Sequence, residues 1–218
     1  MSLQILLEEF SAKAQKAIPP EALAVMEAAA RELDEVGIGS NALKEGDLCP
    51  AADLYDGTGE QVALKDLLSR GPLILVFYRG GWCPYCNLEL RAYQDLLGDI
   101  EAAGGRLVAV SPETPAELLS TAEKNELGFE VLSDKGNQLA ADLGPAFDLP
   151  EMLRPLYLKF GNDLTVRNNQ APWKLPIPAT YVVGQDGRIA LAHVDRDYRQ
   201  RLEPQAALEV LRRLKKAA

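Results

Sequence analysis

No stretch of this chain stays apolar for long, histidine occurs once, and cysteine occurs only three times in 218 residues. The longest apolar run, Leu73-Ile74-Leu75-Val76-Phe77-Tyr78, falls far short of the ~20 residues that a membrane span requires. Glu8 and Glu9 stand where a secretory leader would carry basic residues, so neither a membrane nor export is expected. Basic patches are also scarce: 23 Lys and Arg face 32 Asp and Glu, for a net charge of -9. The one basic cluster, Arg212-Arg213-Leu214-Lys215-Lys216, reads as the complement of a helix C-terminus. A nucleic-acid partner, which needs clustered cations for its phosphates, is not expected. With so few cysteines, an oxidising compartment and a structural disulfide are disfavoured, and a cytoplasmic location is expected. Zinc lacks ligands, because beyond one Cys-x-x-Cys pair the only soft donors are Cys49 and His193, at spacings unlike paired ligand clusters.

What is present is an ordinary globular composition, 47% hydrophobic and 25% charged, enough for one well-buried domain and an extension. Leu3, Leu6, Leu7, Phe10, Ala14 and Ala17 form one helical stripe; after Pro19-Pro20, Ala22, Val25, Met26, Ala29, Ala30, Leu33 and Val36 form a second. Residues 1–40 are therefore read as a helical hairpin extension, either packed on the core or serving as an arm for a partner or a homodimer. Residues 44–218 alternate short apolar strands with amphipathic helices, the pattern of an α/β sheet. Strands are expected near 72–78, 106–111, 130–132, 180–183 and 188–194, the last two joined by a tight hairpin at Gln185-Asp186-Gly187-Arg188. Helices are expected near 84–103, 115–127, 137–143, 151–160 and 204–216, with Pro84, Pro115 and Pro204 suited to first turns.

The heptapeptide Gly80-Gly81-Trp82-Cys83-Pro84-Tyr85-Cys86 sits at the first strand-to-helix turn. At a helix N-terminus, orphan amide groups and the positive end of the macrodipole stabilise a thiolate, the reactive form of cysteine. A second sulfur one turn away can close a disulfide, so the pair can cycle between dithiol and disulfide and move two electrons per turnover.

At these residues the chain resembles the thioredoxin superfamily, specifically the peroxiredoxin-like alkyl hydroperoxide reductase and thiol-specific antioxidant (AhpC/TSA) proteins. The resemblance runs over about residues 44–204. Gly46-Asp47-Leu48-Cys49-Pro50-Ala51-Ala52-Asp53-Leu54 is similar to the family's opening Gly-Asp-x-Ala-Pro-x-Phe-x-Leu segment, and Asp56 to Leu64 to its following hairpin. Val108-Ala109-Val110-Ser111-Pro112-Glu113 and Val131-Leu132-Ser133-Asp134-Lys135-Gly136 resemble two more strand-end motifs. A thioredoxin-like fold is implied. Aligned with the peroxiredoxin pattern Pro-x-x-x-Thr-x-x-Cys-x-x-Glu, Glu89 takes the glutamate, Cys86 the peroxidatic cysteine, Cys83 the threonine and Arg79 the proline. Trp82-Cys83-Pro84-Tyr85-Cys86 equally resembles the Trp-Cys-x-x-Cys of thioredoxin-like reductases, where the first cysteine attacks and the second resolves. Ile177-Pro178-Ala179-Thr180 resembles the thioredoxin-type segment whose cis-proline faces the cysteines; an ordinary trans proline opening a strand is the alternative.

Cys83, at the mouth of the turn, is expected to be the more exposed sulfur, the more stabilised thiolate and the attacking thiol. Cys86 would resolve, or would attack peroxide in the peroxiredoxin register. Arg79 is the nearest cation in sequence, able to stabilise a thiolate or a peroxide oxygen, or else a solvated loop residue. Trp82 either covers the dyad or only packs, and Glu89 either orients neighbours or favours the helix dipole. Cys49 and His193 are read as structural rather than as a resolving thiol and a base, and Trp173 as loop packing rather than a groove wall. The resemblance implies a thiol peroxidase reducing hydroperoxides through a Cys83–Cys86 disulfide, recycled by thioredoxin or a similar donor, with no metal, flavin or nucleotide. Its rivals are a thiol-disulfide oxidoreductase acting on protein disulfides and a redox-responsive interaction module.

Overall fold

The apolar run that opens the functional turn is the central strand of the protein. The computed structural model describes residues 2–217. In chain order the elements are α1 (Leu3–Ala17), α2 (Pro20–Glu35), β1 (Asp53–Tyr55), β2 (Gln61–Ala63), α3 (Leu64–Ser69), β3 (Leu73–Phe77), α4 (Pro84–Gln94), α5 (Leu97–Ala102), β4 (Arg106–Ser111), α6 (Pro115–Lys124), β5 (Glu130–Ser133), α7 (Gln138–Leu143), β6 (Ala146–Asp148), α8 (Arg154–Lys159), α9 (Leu164–Arg167), β7 (Lys174–Pro176), β8 (Ala179–Val183), β9 (Ile189–Val194) and α10 (Pro204–Ala217). The main sheet runs β2-β1-β5-β4-β3-β8-β9 and β6 pairs with β7 separately. Strands β3, β4 and β5 are mutually parallel, whereas β8 and β9 continue the sheet antiparallel. No helix among the described residues is long and apolar enough to cross a membrane.

Strand β3 is buried along its whole length, and its period-two alternation divides the core. Ile74, Val76 and Tyr78 face a cluster containing Leu90 and Tyr93 of α4, Ile100 of α5, and Leu208 and Leu211 of α10. Leu73, Leu75 and Phe77 face the opposite cluster, with Leu64 and Leu67 of α3 and Leu139 and Leu143 of α7. Helices on both faces explain why the strand reads as a continuous apolar run rather than an alternating one. Strands and helices lie within a few residues of their expected bounds, with two instructive exceptions. The helix expected over 84–103 is broken at Asp95 and Leu96, which lets both Leu96 and Leu97 lean on the first cluster. The helix expected over 151–160 begins as a 3-10 turn, Glu151–Leu153, before α8.

The two N-terminal helices pack on the main body instead of chiefly on each other as a hairpin. Helix α1 lies on α4, with Leu3 and Leu7 in the first cluster, and α2 lies against the 151–153 turn, with Ala29 buried beside Leu149 and Leu175. The start of α1 is secured from the far end of the chain: the Leu3 and Gln4 amides donate to the Glu203 carboxylate at 3.2 and 2.8 Å. An anion at a helix N-terminus satisfies orphan donors and complements the dipole. Glu203→Ala is therefore expected to lower stability by about 1 kcal/mol, the size of a lost cap. Hydrogen exchange is the discriminating readout: α1 amides should lose protection before the sheet does, and an even loss across the chain would contradict the anchoring.

Candidate active site

The C-terminal end of β3 runs directly into the turn that carries the two cysteines. Gly80 has φ +151, and a Cβ there would meet Trp82 Nε1 and stand 2.8 Å from Glu113 Oε1. A Cβ on Gly81 would meet the Thr121 side chain. Both glycines are thus required by close approach. The turn is clamped from two sides. The Gly81 amide donates to both carboxylate oxygens of Glu113, at 3.0 and 3.1 Å, and its carbonyl accepts from Asn87 Nδ2 at 2.9 Å. Asn87 is itself held by Asn125 at 3.0 Å, and Asn125 by Arg91 at 2.7 Å. A buried polar chain of this kind fixes one geometry only when every member is satisfied.

Cys83 is the N-cap of α4, Pro84 follows at its first position, and the Cys83 carbonyl accepts from the Asn87 amide at 3.1 Å. The Cys86 thiol donates to Cys83 Sγ at 2.7 Å, and both cysteines are free of any disulfide and 0% exposed. Each sulfur also accepts from a guanidinium: Arg79 Nη2 reaches Cys83 Sγ at 3.4 Å, and Arg201 Nη2 reaches Cys86 Sγ at 3.4 Å. Arg201 further donates through Nε to Glu89 at 2.6 Å, an ion pair whose side chains are each 1% exposed. Its Nη1 donates to the Tyr198 carbonyl. Arg79 continues to Tyr157 Oη at 3.2 Å and lies under the Tyr198 ring, 4.0 Å from its centroid.

These contacts divide the two thiols electrostatically. Burial on its own would raise Cys83, but the Cys86 hydrogen bond and the positive charges of Arg79 and Arg201 outweigh it and hold its pKa well below that of an ordinary thiol. Cys86 goes the other way, raised by burial, by the proton it shares with Cys83 and by the negative charge next to it. These surroundings favour the thiolate on Cys83 and the thiol on Cys86. Burial pushes Glu89 up to about 7, against the pull of Arg201.

The family model described as the AhpC/TSA family matches residues 46–192. The chain belongs to the AhpC/TSA family. Peroxiredoxin Bcp of Escherichia coli (strain K12) is 35% identical over 105 residues, covering 48% of this chain and 66% of that one. A Mycobacterium tuberculosis (strain H37Rv) protein provisionally named a peroxiredoxin is 31% identical over 150 residues, 69% of this chain and 84% of its own. Among solved structures, peroxidoxin BcpB of M. tuberculosis superposes with a TM-score of 0.61 at 23% identity, covering 78% of this chain and 97% of that one. The fold is accordingly the thioredoxin-like fold of peroxiredoxins, with α1 and α2 added in front.

Within this AhpC/TSA framework one expectation is corrected, and the other candidate residues each take a definite place. Cys83 is not exposed: Trp82 and Tyr157, stacked edge to face at 5.3 Å, and Tyr198 on Arg79 belong to segments that close over the turn. Pro178 forms no cis bond; the chain passes extended from β7 into β8, with the Ile177 amide donating to the Pro145 carbonyl at 2.7 Å and Ala179 already paired with Phe77. Pro178 is thus a trans proline at a strand start, the other reading weighed for it. Arg79 is a buried partner of Cys83, not a solvated loop residue. Glu89 serves Arg201 rather than only the dipole. Cys49 packs with the cluster on the other face of the sheet from the dyad, its thiol raised to about 11 by burial, and is separated from Cys83 and Cys86 by the sheet. His193 stands on β9 opposite Thr180, lowered by burial. Trp173 packs under the Arg154 guanidinium at 5.3 Å.

Arg201, Tyr157, Tyr198 and Glu113 carry much of the site and were not singled out from the sequence. Glu113 offers a direct test of the clamp. Burial raises it from 4.5 to about 7, opposed by the Gly81 amide. An acid whose folded pKa lies above its unfolded one loses stability as pH rises between the two values, here by about 3 kcal/mol at 1.36 kcal/mol per unit, and stays constant above. Glu113→Gln removes that loss. Urea denaturation should therefore show the stability difference moving in the variant's favour by about 3 kcal/mol between pH 4 and 8; a difference independent of pH would contradict a buried titrating carboxyl.

Proposed function

We propose that the protein is a thiol peroxidase in which Cys83 attacks a hydroperoxide and Cys86 resolves the product. The observation that carries this reading is the placement of two sulfurs 2.7 Å apart, Cys83 accepting from Arg79 and Cys86 from Arg201. Cys83 thiolate attacks the terminal oxygen, the O–O bond breaks, and Cys83 becomes a sulfenic acid while the remaining oxygen leaves with the bonding pair as alkoxide and is protonated to an alcohol. Cys86 thiol then displaces hydroxyl from Cys83, releasing water and forming the disulfide. Two electrons from a thioredoxin-like dithiol return the pair to the reduced state. The work is assigned to the cytoplasm, where such donors are kept reduced.

The enclosure of both sulfurs favours a small substrate. A hydroperoxide needs only a displacement of the aromatic cover, whereas a protein disulfide would need an accessible sulfur beside an exposed edge of backbone, and Cys83 is wholly buried. Thiol-disulfide exchange remains the second reading because the N-terminal cysteine of the Cys-x-x-Cys is the one held as thiolate.

Stopped-flow tryptophan fluorescence, with Trp82 as the reporter, separates the readings. Hydrogen peroxide should oxidise the reduced protein at least about a hundredfold faster than a free thiol, consistent with activation by position and charge. Cys83→Ser should abolish the reaction. Cys86→Ser should retain it and leave a sulfenic acid that dimedone captures on Cys83. Slow peroxide oxidation together with rapid insulin disulfide reduction would contradict the peroxidase and favour exchange.

A further inference from the structure

Attack on a hydroperoxide leaves an alkoxide or hydroxide, a strong base that needs a proton as the O–O bond breaks. The groups already described are committed elsewhere. The Cys86 thiol donates to Cys83 Sγ, and its proton departs later with the water of disulfide formation. Glu113 accepts from Gly81, Glu89 is paired with Arg201, and His193 sits on β9 opposite Thr180. Cys83 itself occupies the place where the peroxiredoxin pattern has a threonine hydroxyl.

One hydroxyl shares a cation with the attacking sulfur. Arg79 donates through Nη2 to Cys83 Sγ at 3.4 Å and through Nη1 to Tyr157 Oη at 3.2 Å. Since Oη accepts from Arg79, the phenolic hydrogen remains free to donate. Among the described residues no acceptor takes that hydrogen through a hydrogen bond. Tyr198, the other tyrosine on Arg79, offers its ring face rather than its hydroxyl. The two nitrogens of one guanidinium thus serve a nucleophile and an acid, the fork geometry that suits Arg and not Lys.

We propose that Tyr157 is the general acid of peroxide reduction, a step that rests on Cys83 being the attacking thiol. As the S–O bond forms and the O–O bond breaks, the Tyr157 proton passes to the departing oxygen, giving the alcohol and a phenolate. The negative charge moves from Cys83 Sγ to Tyr157 Oη, and Arg79 holds it in both places. Solvent returns the proton after the alcohol has left. Burial raises the phenol while Arg79 lowers it, so the cation supports the phenolate that forms.

The test exploits the leaving group. tert-Butyl hydroperoxide expels a strongly basic alkoxide, whereas peracetic acid expels a carboxylate that needs no proton. Tyr157→Phe should slow reduced-protein oxidation by tert-butyl hydroperoxide about a hundredfold, within the range of general acid catalysis, and alter the peracid rate less than about threefold. On the unaltered protein, a solvent deuterium isotope effect should accompany the hydroperoxide reaction and be absent with the peracid. Equal slowing on both substrates, no slowing on either, or equal isotope effects would overturn the role of Tyr157. Wild-type protein that reacts with neither substrate faster than a free thiol would instead remove the peroxidase reading, and this proposal with it.

Discussion

Two guanidinium groups buried against two sulfurs form the constraint on which this site depends. Burying a cation without an anion carries a cost of several kcal/mol per charge. Arg79 and Arg201 are both buried, and the anions that face them are Cys83 and Glu89. The folded state with its arginines in place therefore favours the ionised form of Cys83 and the protonated form of Cys86. Redox chemistry follows from that selection: a desolvated thiolate is a stronger nucleophile than a hydrated one, and its partner thiol is already in hydrogen-bond contact for the second step.

The rest of the fold brings those two cations to one turn. Arg79 comes with the end of β3, in the same segment as the cysteines. Arg201 arrives from the far end of the chain, because the antiparallel pair β8 and β9 returns the backbone alongside β3 and the loop before α10 then drops onto α4. That loop is itself held. Glu203 receives the start of α1, Phe10 of α1 meets the Tyr85 ring edge to face at 5.0 Å, and Tyr85 meets Tyr198 at 5.5 Å. The first helix and the last loop are thus packed together through Tyr85, which lies between the cysteines and ties the extension to the chemistry.

How much of this could be read from sequence depended on locality. The dyad, its helix N-terminal position and the central strand lie within one short segment, and periodicity and spacing report such segments well. The exposure expected for Cys83 came from the same local view and was wrong: Cys83 is buried beside Arg79, around which Trp82, Tyr157 and Tyr198 gather from three separate stretches. Arg201 lies in Asp197-Tyr198-Arg199-Gln200-Arg201, which reads as an exposed charged loop, and nothing in its spacing announces a contact 115 residues away. Glu113 reads in the sequence only as the end of a strand motif, because its partner is a backbone amide and leaves no side-chain signature. The break between α4 and α5 falls at Asp95 and Leu96, without glycine or proline, and so follows tertiary packing rather than local propensity.

The most direct measurement is the titration of the reduced protein labelled with 13C at the cysteine β-carbons, with each resonance assigned by single Cys→Ser substitution. The account predicts that Cys83 is already ionised at neutral pH and that Cys86 keeps its proton far above the range of an ordinary thiol. Ionisation of Cys86 before Cys83, or both thiols titrating together near the value of a free cysteine, would contradict it.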